Sequence, residues 1–550
     1  MAQLQSSSPS STSDSTLSVG CWNIAAVNNN PLEYWVDYEN PAYRELMLGV
    51  EQTMLEPGER DVPLGSIFPE EAFQRLTGKM RDLGYEGVDE VCQMWVNDLS
   101  SRPIISGFFK DKSLGSKRFI SMPDRFTNTI NTLVSVTDSA PAAPACRPTV
   151  INNYLGDLGS FDAWWSAWFS FMFEEPLAMH TKQGPAAKIP CELISKISRK
   201  KYEALSEEEE RISVPMQLLC LALFDCTLVH VMNVLSPSRE WLDIKQTLCG
   251  ALVTNKPKRT LDILCGSMYA GCDVLCLQEV ATSFLAEIDA SPLGTSHHVV
   301  MPAKSAGSRN QNSILLLKKA TFPAAAATDF VEVTDEVRAA CKGEVADGDL
   351  VAVIAADKTG VNFLVASFHG DTEGLQSIPV LEAVHAAVQA RNVSGDGAVE
   401  AKGAAQETKL IFGLDANVYQ EPPGKKPHLH YVDWLESCAS LGMATNFGAL
   451  GSAFDPVACR TTMNARTFCQ PQLQKAVRLS EFDKGDCNPK DYVLFYADQF
   501  EGVQTSIDKT GDGGFAPGEV PPDGGPVHTP LPSLVWPSDH MALLTTVRHC

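Results

Sequence analysis

The chain has 550 residues, of which 44% are hydrophobic and 20% are charged. That length suggests two to four domains, or one large domain with insertions, and the composition excludes collagen-like, coiled-coil and wholly disordered proteins. The formal net charge of −23 disfavours tight non-specific binding to duplex nucleic acid, because such a chain repels a polyanion.

The N-terminal part of the chain is predicted to hold a tail, a strand and a helical block. Residues 1–16 are rich in Ser and Thr and lack hydrophobic periodicity, which predicts a disordered tail. Residues 17–39 begin with the apolar run "LSVGCWNIAAVN" and are predicted to contain the first core strand. Residues 40–255 show helical spacing with few strand signals, so we predict a mainly helical insertion.

The chain shows no pattern of a signal peptide or a transmembrane segment. Its N-terminus has neither a basic nor an apolar region, and its most apolar stretch, 218–235, is interrupted by Asp225 and His230. The 16 cysteines lie mostly in apolar runs, which is typical of reduced core residues. We therefore expect an intracellular protein, cytoplasmic or nuclear, with no membrane contact and no obligate protein partner.

The remainder, 256–550, alternates short β-rich runs with turn residues and two amphipathic helices, 376–391 and 431–441. This pattern predicts an α/β domain with a large sheet content. Polar residues follow directly after several of the apolar runs, where a buried carboxylate without partners would cost several kcal/mol. These residues are Asn23, Gln278, Glu279, His369, Asp415, Asn417, Asp491, Asp539 and His540.

Residues of these types suit phosphoester hydrolysis. Mg²⁺ takes few protein carboxylates plus water, so Glu279, helped by Asn23 and Asp539, is the predicted ligand set, and Mn²⁺ is an alternative ion. Asp415 suits a base for the attacking water, and Asn417 can donate to a phosphate oxygen or position the water.

Two histidines complete the predicted catalytic set. His369 and His540 can donate to the developing negative charge, and Asp491 is the candidate carboxylate that keeps a histidine protonated.

The motifs around these residues resemble the endonuclease/exonuclease/phosphatase superfamily, whose fold is like that of pancreatic deoxyribonuclease. The matching segments are, in the family's order, "CWNIAAVN", "DVLCLQEV", "LVASFHGDT", "IFGLDANVY", "PKDYVLFYA" and "WPSDHMALLTTV". The resemblance implies an α/β fold of four layers, in which helices flank two packed β-sheets, with the helical block as an addition. It also implies that Asp491 pairs with a histidine.

The chain departs from the family at two places. Some members carry an acidic residue two positions after the first Asn, where this chain has Ala25, so one metal contact is in question. The interval from Asn23 to Glu279 is much longer than usual in the family, which is why 40–255 is interpreted as an insertion between the first two core strands.

The predicted function is metal-dependent hydrolysis of a phosphodiester in RNA, single-stranded DNA or a nucleotide-derived compound. A phosphomonoesterase acting on an inositol or nucleotide phosphate is an alternative, favoured by the charge of −23, since a small substrate needs no extended basic surface. A non-catalytic interaction scaffold is a second alternative, suggested by Ala25 and the insertion.

Basic and amide side chains supply candidates for substrate contact, because arginine binds phosphate bidentately. We also expect the insertion to fold at the mouth of the catalytic pocket, with its basic and aromatic stretch 117–126 contacting substrate. The candidate substrate-binding residues are Arg309, Asn310, Asn312, Arg466, Arg118 and Arg125.

A loop near the C-terminus has the spacing of a calcium-binding loop. Residues 508–519, "DKTGDGGFAPGE", place acidic residues at positions 1, 5 and 12. Thr510 stands at position 3 and prolines follow, so a turn-rich loop is the favoured interpretation.

Overall fold

A computed structural model gives the architecture of the chain. It describes residues 16–25, 28–131, 133, 144–181, 184–307, 310–393, 407–448, 454–519 and 529–550. Of the predicted disordered tail, 1–15 lie outside the described residues, and Thr16 begins the first strand. The described residues fall into two compact units, the first made of those within 1–27, 256–463 and 486–550 and the second of those within 28–255 and 464–485.

The strands are, in chain order, β1 (Thr16–Asn23), β2 (Thr129–Ile130), β3 (Ala145–Cys146), β4 (Leu177–Thr181), β5 (Gly184–Lys188), β6 (Val274–Val280), β7 (His297–Val300), β8 (Asn312–Lys318), β9 (Val331–Glu332), β10 (Leu350–Ala356), β11 (Asn362–His369), β12 (Lys409–Asp415), β13 (Met443–Thr445), β14 (Asp491–Tyr496), β15 (Phe500–Asp508) and β16 (Ala542–His549). The α-helices are α1 (Pro41–Leu55), α2 (Leu64–Ile67), α3 (Glu70–Asp82), α4 (Val88–Asn97), α5 (Lys112–Lys117), α6 (Ser121–Thr127), α7 (Phe161–Phe173), α8 (Glu207–Arg211), α9 (Ser213–Leu235), α10 (Glu240–Cys249), α11 (Lys256–Leu264), α12 (Ser267–Ala270), α13 (Thr282–Asp289), α14 (Pro292–Ser296), α15 (Thr334–Ala340), α16 (Ser377–Val393) and α17 (Tyr431–Ser440).

The first unit is built on two six-stranded sheets. One has the order β15-β16-β1-β6-β8-β7 and the other the order β13-β14-β12-β11-β10-β9. β1 pairs with β6 in parallel, and β11 pairs with β12 in parallel, whereas the other neighbours in each sheet are antiparallel. The predicted α/β fold with two sheets is therefore confirmed.

The two sheets face each other closely at Gly413 of β12. A Cβ atom at this position would lie 2.5 Å from Cβ of Cys276 in the other sheet and 3.3 Å from Sγ of Cys21. Polar contacts also cross the interface, because Gln278 Nε2 donates to Ser367 Oγ at 3.0 Å. The absence of a side chain at Gly413 is what permits this close approach.

Helices cover the outer faces of both sheets and complete the four layers. Val384 of α16 and Trp434 of α17 are buried in one apolar cluster with Phe412 and other residues of the second sheet. On the first sheet, the ring of Tyr269 in α12 lies 6.2 Å from that of Trp22 in β1. Burial of these apolar faces is the main source of stability for such layers.

The second unit is mainly helical, and its central helix is α9. Within the described residues this helix is long and apolar enough to span a membrane by composition, but 78% of its most apolar window is buried in the protein. The buried Asp225 of α9 forms an ion pair with the equally buried Arg147 at 2.7 Å. A helix whose surface is already covered by protein behaves as a core helix.

The second unit includes two segments that the sequence prediction assigned to the catalytic domain, 28–39 and 464–485. Backbone hydrogen bonds connect the two segments: Trp35 N donates to Ala465 O at 3.0 Å, and Thr467 N donates to Glu33 O at 2.8 Å. Such pairing between distant segments is decided by tertiary structure and leaves no local signal in the sequence.

Candidate active site

Polar residues of both sheets meet at one edge of the first unit. Asn23 lies beside Gln278 where the parallel strands β1 and β6 end, and His369 lies beside Asp415 where β11 and β12 end. Asp491 begins the antiparallel strand β14 directly opposite Asp415. The ends of parallel strands and the start of their antiparallel neighbour therefore share one edge.

Asp415 is the centre of this group. Its Oδ1 accepts the backbone N–H of Asn417 at 2.9 Å, and its Oδ2 accepts from Asn23 Nδ2 at 3.0 Å. The Nε2 atoms of His369 and His540 lie 3.8 and 3.7 Å from the same Oδ2. These two distances exceed a hydrogen bond, so each imidazole can donate to a third atom placed beside the carboxylate.

His540 is held by a buried carboxylate. Its Nδ1 lies 2.9 Å from Asp491 Oδ2, and the Thr461 hydroxyl donates to that same oxygen at 2.5 Å. Burial alone lowers the pKa of His540, but the charges of Asp491 and Asp415 outweigh it and raise the pKa to about 10. The imidazole is therefore cationic near neutral pH, with Nε2–H as its remaining donor.

Glu279 lies on the other side of Asp415 at a break in the pairing of β6 with β8. Its Oε1 accepts from Asn23 Nδ2 at 3.3 Å, and its Oε2 accepts from Gln311 Nε2 at 2.7 Å. His369 Nε2 lies 3.4 Å from Oε1. The carboxylate is 19% exposed, so a ligand can reach it.

Three residues at this edge have left-handed backbone conformations. Ala25, Glu279 and Asn417 have φ values of +47°, +54° and +50°. Such conformations cost of order 1–3 kcal/mol each in non-glycine residues, and they concentrate at functional sites.

The donor set fits a hard divalent cation. Glu279 and Asp415 offer carboxylate oxygens on either side of Asn23, and oxygen ligands suit Mg²⁺ or Mn²⁺. Asp415, Asp491 and His540 also lie close enough together to hold an ion. However, a cationic His540 whose Nδ1 already contacts Asp491 has no lone pair to offer, so this trio is better suited to proton transfer.

One of the predicted metal ligands has a contact that the sequence did not indicate. Asn23 Oδ1 accepts the N–H of Ala25 at 2.9 Å, so in this orientation Asn23 aligns the two carboxylates through its Nδ2 rather than offering its oxygen to a metal. Asp539 is half-buried and immediately precedes His540.

Lys256 is a buried cation near the predicted metal ligands that sequence reasoning missed. Its ammonium donates to the backbone oxygen of Ala25. Burial lowers the pKa of Lys256 to about 8, against the opposing charges of Asp539 and Glu279. No sequence signal links Lys256 to Ala25, because 231 positions separate them.

Lys490 and Thr461 are further site residues that the sequence prediction missed. Lys490 Nζ donates to Asn417 Oδ1 at 2.9 Å. Thr461 Oγ1 accepts the backbone N–H groups of both Lys490 and Asp491 at 3.0 Å. No local signal in the sequence marks Lys490, because its contact with Asn417 joins positions 73 apart in the chain.

Both amides predicted to bind substrate have contacts within the protein. Asn312 is buried, its Nδ2 donates to Val280 O at 2.9 Å and its Oδ1 accepts from Ala306 N at 2.8 Å, so the prediction of a phosphate contact is corrected to a structural role. Asn310 Oδ1 accepts from Thr282 N at 2.7 Å. Arg309 lies outside the described residues.

The remaining predicted arginines lie in the second unit. Arg466 forms an ion pair with Glu33, and its contact with phosphate stays a prediction. The guanidinium carbon of Arg118 lies 5.9 Å from the ring centroid of Tyr202, and Arg125 is exposed on α6. Substrate contact by Arg118 and Arg125 stays a prediction.

The loop from Asp508 has the contacts of a turn. Asp508 Oδ1 accepts from the N–H groups of Thr510 and Gly511 at 2.9 and 3.1 Å, and Oδ2 accepts from the Tyr269 hydroxyl at 2.5 Å. Protein donors therefore satisfy the carboxylate that would occupy the first position of a calcium loop, in agreement with the favoured interpretation.

Comparison with known proteins gives one family match and several structural likenesses. A family described as a domain of unknown function (DUF8234) matches residues 61–246. No curated protein matches the chain.

Solved structures similar to the chain include truncated TDP2 from Caenorhabditis elegans, at 15% identity and a TM-score of 0.33, covering 54% of this chain and 93% of that chain. ANGEL2, a 2',3'-cyclic phosphatase, is similar at 13% identity and a TM-score of 0.35, with coverage of 55% and 87%. The human nocturnin catalytic domain is similar at 16% identity and a TM-score of 0.33, with coverage of 56% and 90%.

Likeness at this level carries no inference about activity. The chain's own two six-stranded sheets and their helical outer layers are the architecture that the motifs predict. The α/β fold of four layers that the resemblance implies is therefore confirmed.

Proposed function

We propose that this chain is a metal-dependent phosphoester hydrolase and that its substrate is a phosphodiester in RNA, single-stranded DNA or a nucleotide-derived compound. The observation that carries the proposal is the pair of imidazoles facing one carboxylate: His369 and His540 lie 3.8 and 3.7 Å from Asp415 Oδ2. Phosphoester hydrolysis requires a base for the attacking water and hydrogen-bond donors for the phosphate oxygens, and this arrangement places all three groups next to one another.

In this mechanism Asp415 accepts a proton of the attacking water through Oδ2 as the water oxygen bonds to phosphorus. The P–O bond to the leaving group breaks, and the leaving oxygen takes a proton from solvent. Its other oxygen is held by the N–H of Asn417, which keeps the carboxylate aligned. His540, kept cationic by Asp491, donates Nε2–H to a phosphate oxygen as negative charge develops, and His369 donates to a second oxygen.

A divalent ion held by Glu279 and Asp539, the two carboxylates whose charges act on Lys256, would supply neutralisation of phosphate charge. Within the chain, Asn23 holds Glu279 and Asp415 at a common spacing through its Nδ2. Gln311 fixes the second oxygen of Glu279.

Hydrolysis of a small phosphomonoester is the second candidate. The formal charge of −23 favours it, because a polynucleotide has to approach against that charge whereas a small substrate needs only the site itself.

The test is a panel of substrates with purified protein, with and without Mg²⁺ and Mn²⁺. The panel contains an end-labelled RNA, an end-labelled single-stranded DNA, bis-p-nitrophenyl phosphate, p-nitrophenyl phosphate and an inositol phosphate. We expect metal-dependent cleavage of at least one diester. Release of phosphate from the monoesters alone would favour the second candidate.

Two variants control for contaminating hydrolases. Asp415→Asn removes the proposed base, and Asp498→Asn alters an exposed carboxylate beyond the far end of β14. Loss of activity in Asp415→Asn but not in Asp498→Asn assigns the activity to this site. An inactive wild-type protein across the panel would contradict the proposed function and favour a non-catalytic scaffold.

A further inference from the structure

The side-chain amide of Asn417 is held at both ends. Its Oδ1 accepts from Lys490 Nζ at 2.9 Å, and its Nδ2 donates to Gly370 O at 3.0 Å. An ammonium group can only donate and a backbone carbonyl can only accept, so these two partners allow a single orientation of the amide.

This orientation leaves one donor of Asn417 available. An amide nitrogen carries two hydrogens, and among the described residues Gly370 takes one of them. The backbone N–H of Asn417 meanwhile donates to Asp415 Oδ1 at 2.9 Å. Asn417 is thus hydrogen-bonded to the proposed base and only 6% exposed, and its second Nδ2 hydrogen has no protein acceptor among the described residues.

Lys490 is itself held firmly in place. Its Nζ donates to Asp486 Oδ2 at 2.7 Å and lies 5.2 Å from the ring centroid of Tyr419, and the residue is 3% exposed. Burial lowers the pKa of Lys490, but Asp486 outweighs this and keeps it above its ordinary value. The side chain is thus a permanent donor near neutral pH.

One threonine aligns Lys490 with its neighbour. Thr461 Oγ1 accepts the N–H groups of Lys490 and Asp491. The two side chains then serve different partners, since Lys490 contacts Asn417 and Asp491 contacts His540. Lys490, directly before β14, and Asp491, its first residue, therefore orient two separate donors of the site.

We propose that Lys490 is a positioning residue, which turns the Asn417 amide so that its free N–H donates to a non-bridging oxygen of the substrate phosphate. The inference rests on the proposed function for the identity of the substrate. A buried Lys490–Asp486 ion pair that only stabilises the fold is the competing interpretation, and a double-mutant cycle separates the two.

The experiment compares wild type, Lys490→Met, Asn417→Ala and the double variant. The matched control is Lys245→Met, which removes an equally buried ammonium that donates to Thr149 O and Tyr154 O in the second unit. Two properties are measured: kcat/KM on the substrate identified by the panel, and the Kd of orthovanadate with Mg²⁺ by calorimetry. The thermal unfolding midpoint of every variant is recorded.

We expect Lys490→Met to lower kcat/KM by about tenfold to a hundredfold, and to weaken vanadate binding by a similar factor, because a misplaced donor loses much of its transition-state contact. The double variant should have the same kcat/KM and the same vanadate affinity as Asn417→Ala. Lys245→Met should lower the unfolding midpoint and leave kcat/KM and vanadate binding at wild-type values.

The other outcomes distinguish the positioning role of Lys490 from the proposed hydrolase function. If Asn417→Ala lowers kcat/KM while Lys490→Met keeps it, or if the two losses multiply in the double variant, the positioning role is overturned and the proposed function stands. If no ester is hydrolysed but vanadate binds with the expected dependence on Lys490, the proposed function fails and the positioning role stands. Absence of both hydrolysis and vanadate binding overturns both.

Discussion

Asp415 has two oxygens with different tasks. One accepts the N–H of Asn417, and the other faces two imidazoles. Asp415→Asn keeps the shape of the side chain but removes the base, so we expect kcat to fall by about 10²-fold or more while KM changes little. Steady-state kinetics on the panel substrate check this, and unchanged turnover would rule out Asp415 as the base.

The His540–Asp491 pair predicts a pH dependence of activity. Asp491→Asn removes the largest of the charges that oppose burial and raise the pKa of His540, so the pKa falls from its wild-type value. We expect the alkaline limb of the kcat profile to move to lower pH by about one unit or more. Profiles of wild type, Asp491→Asn and the control Asp498→Asn test this; coincident alkaline limbs would show that His540 does not act as the cationic donor.

The same pair predicts a pH dependence of stability. The folded-state pKa of His540, about 10, lies above its ordinary value of 6.5. The contribution of His540 to the free energy of unfolding is therefore complete below pH 6.5 and is lost as the pH rises towards 10. Urea unfolding midpoints at pH 6 and pH 9.5 should differ more in wild type than in Asp491→Asn, and equal differences would contradict the raised pKa.

Because Glu279 is the proposed metal ligand, we expect its substitution to change the metal dependence of activity. Glu279→Gln removes the charge of a carboxylate that is accessible and held by Asn23 and Gln311. We expect the Mg²⁺ concentration for half-maximal activity to rise by about tenfold or more, in line with the effect of weakening a ligand. Glu287→Gln, an exposed glutamate on α13, is the matched control. Full activity in excess chelator would rule out a metal-dependent mechanism.

At the scale of the elements, the packing of the two sheets depends on β12 approaching β1 and β6 closely. In Gly413→Ala the new methyl group would lie 2.5 Å from Cβ of Cys276, and overpacking of this kind costs about 1–3 kcal/mol. We expect a lower urea unfolding midpoint for this variant. Gly424→Ala, where nothing lies within 4 Å, should keep the wild-type midpoint, and equal midpoints for both would contradict the close sheet contact.

At the scale of the whole molecule, the charge of −23 predicts that kcat/KM on a nucleic acid depends only weakly on salt concentration. Each phosphate neutralised by a protein cation adds about 0.7–0.9 to the slope of log K against log salt. We expect the slope of log kcat/KM on a single-stranded oligonucleotide at fixed Mg²⁺ to stay below about 2 in magnitude. A slope of about 4 or more would indicate an extended basic surface for nucleic acid.

The sequence predicted much of the first unit because its signals are local. A short β-rich run followed by a polar residue identifies a strand end, and His369 and Asp415 were found in this way. Asp491 and His540 were also predicted as site residues, but they stand at the start of β14 and before β16. The helices predicted at 376–391 and 431–441 correspond to α16 and α17. Asn312 was misjudged because its position before a strand cannot show whether an amide faces a ligand or the backbone of Val280.

The sequence by itself determined the fold class, the order of the strands that carry polar residues, and the kinds of side chain at their ends. Hydrophobic periodicity and residue chemistry are properties of neighbouring positions, so the chain alone displays them. Only the tertiary structure decided which oxygen of Asp415 faces the imidazoles, that Lys490 orients Asn417 and that Lys256 lies beside Ala25. It also decided that 464–485 pairs with 28–39. These contacts join positions far apart in the chain, and their geometry depends on the register of strands and the packing of sheets, which no local pattern records.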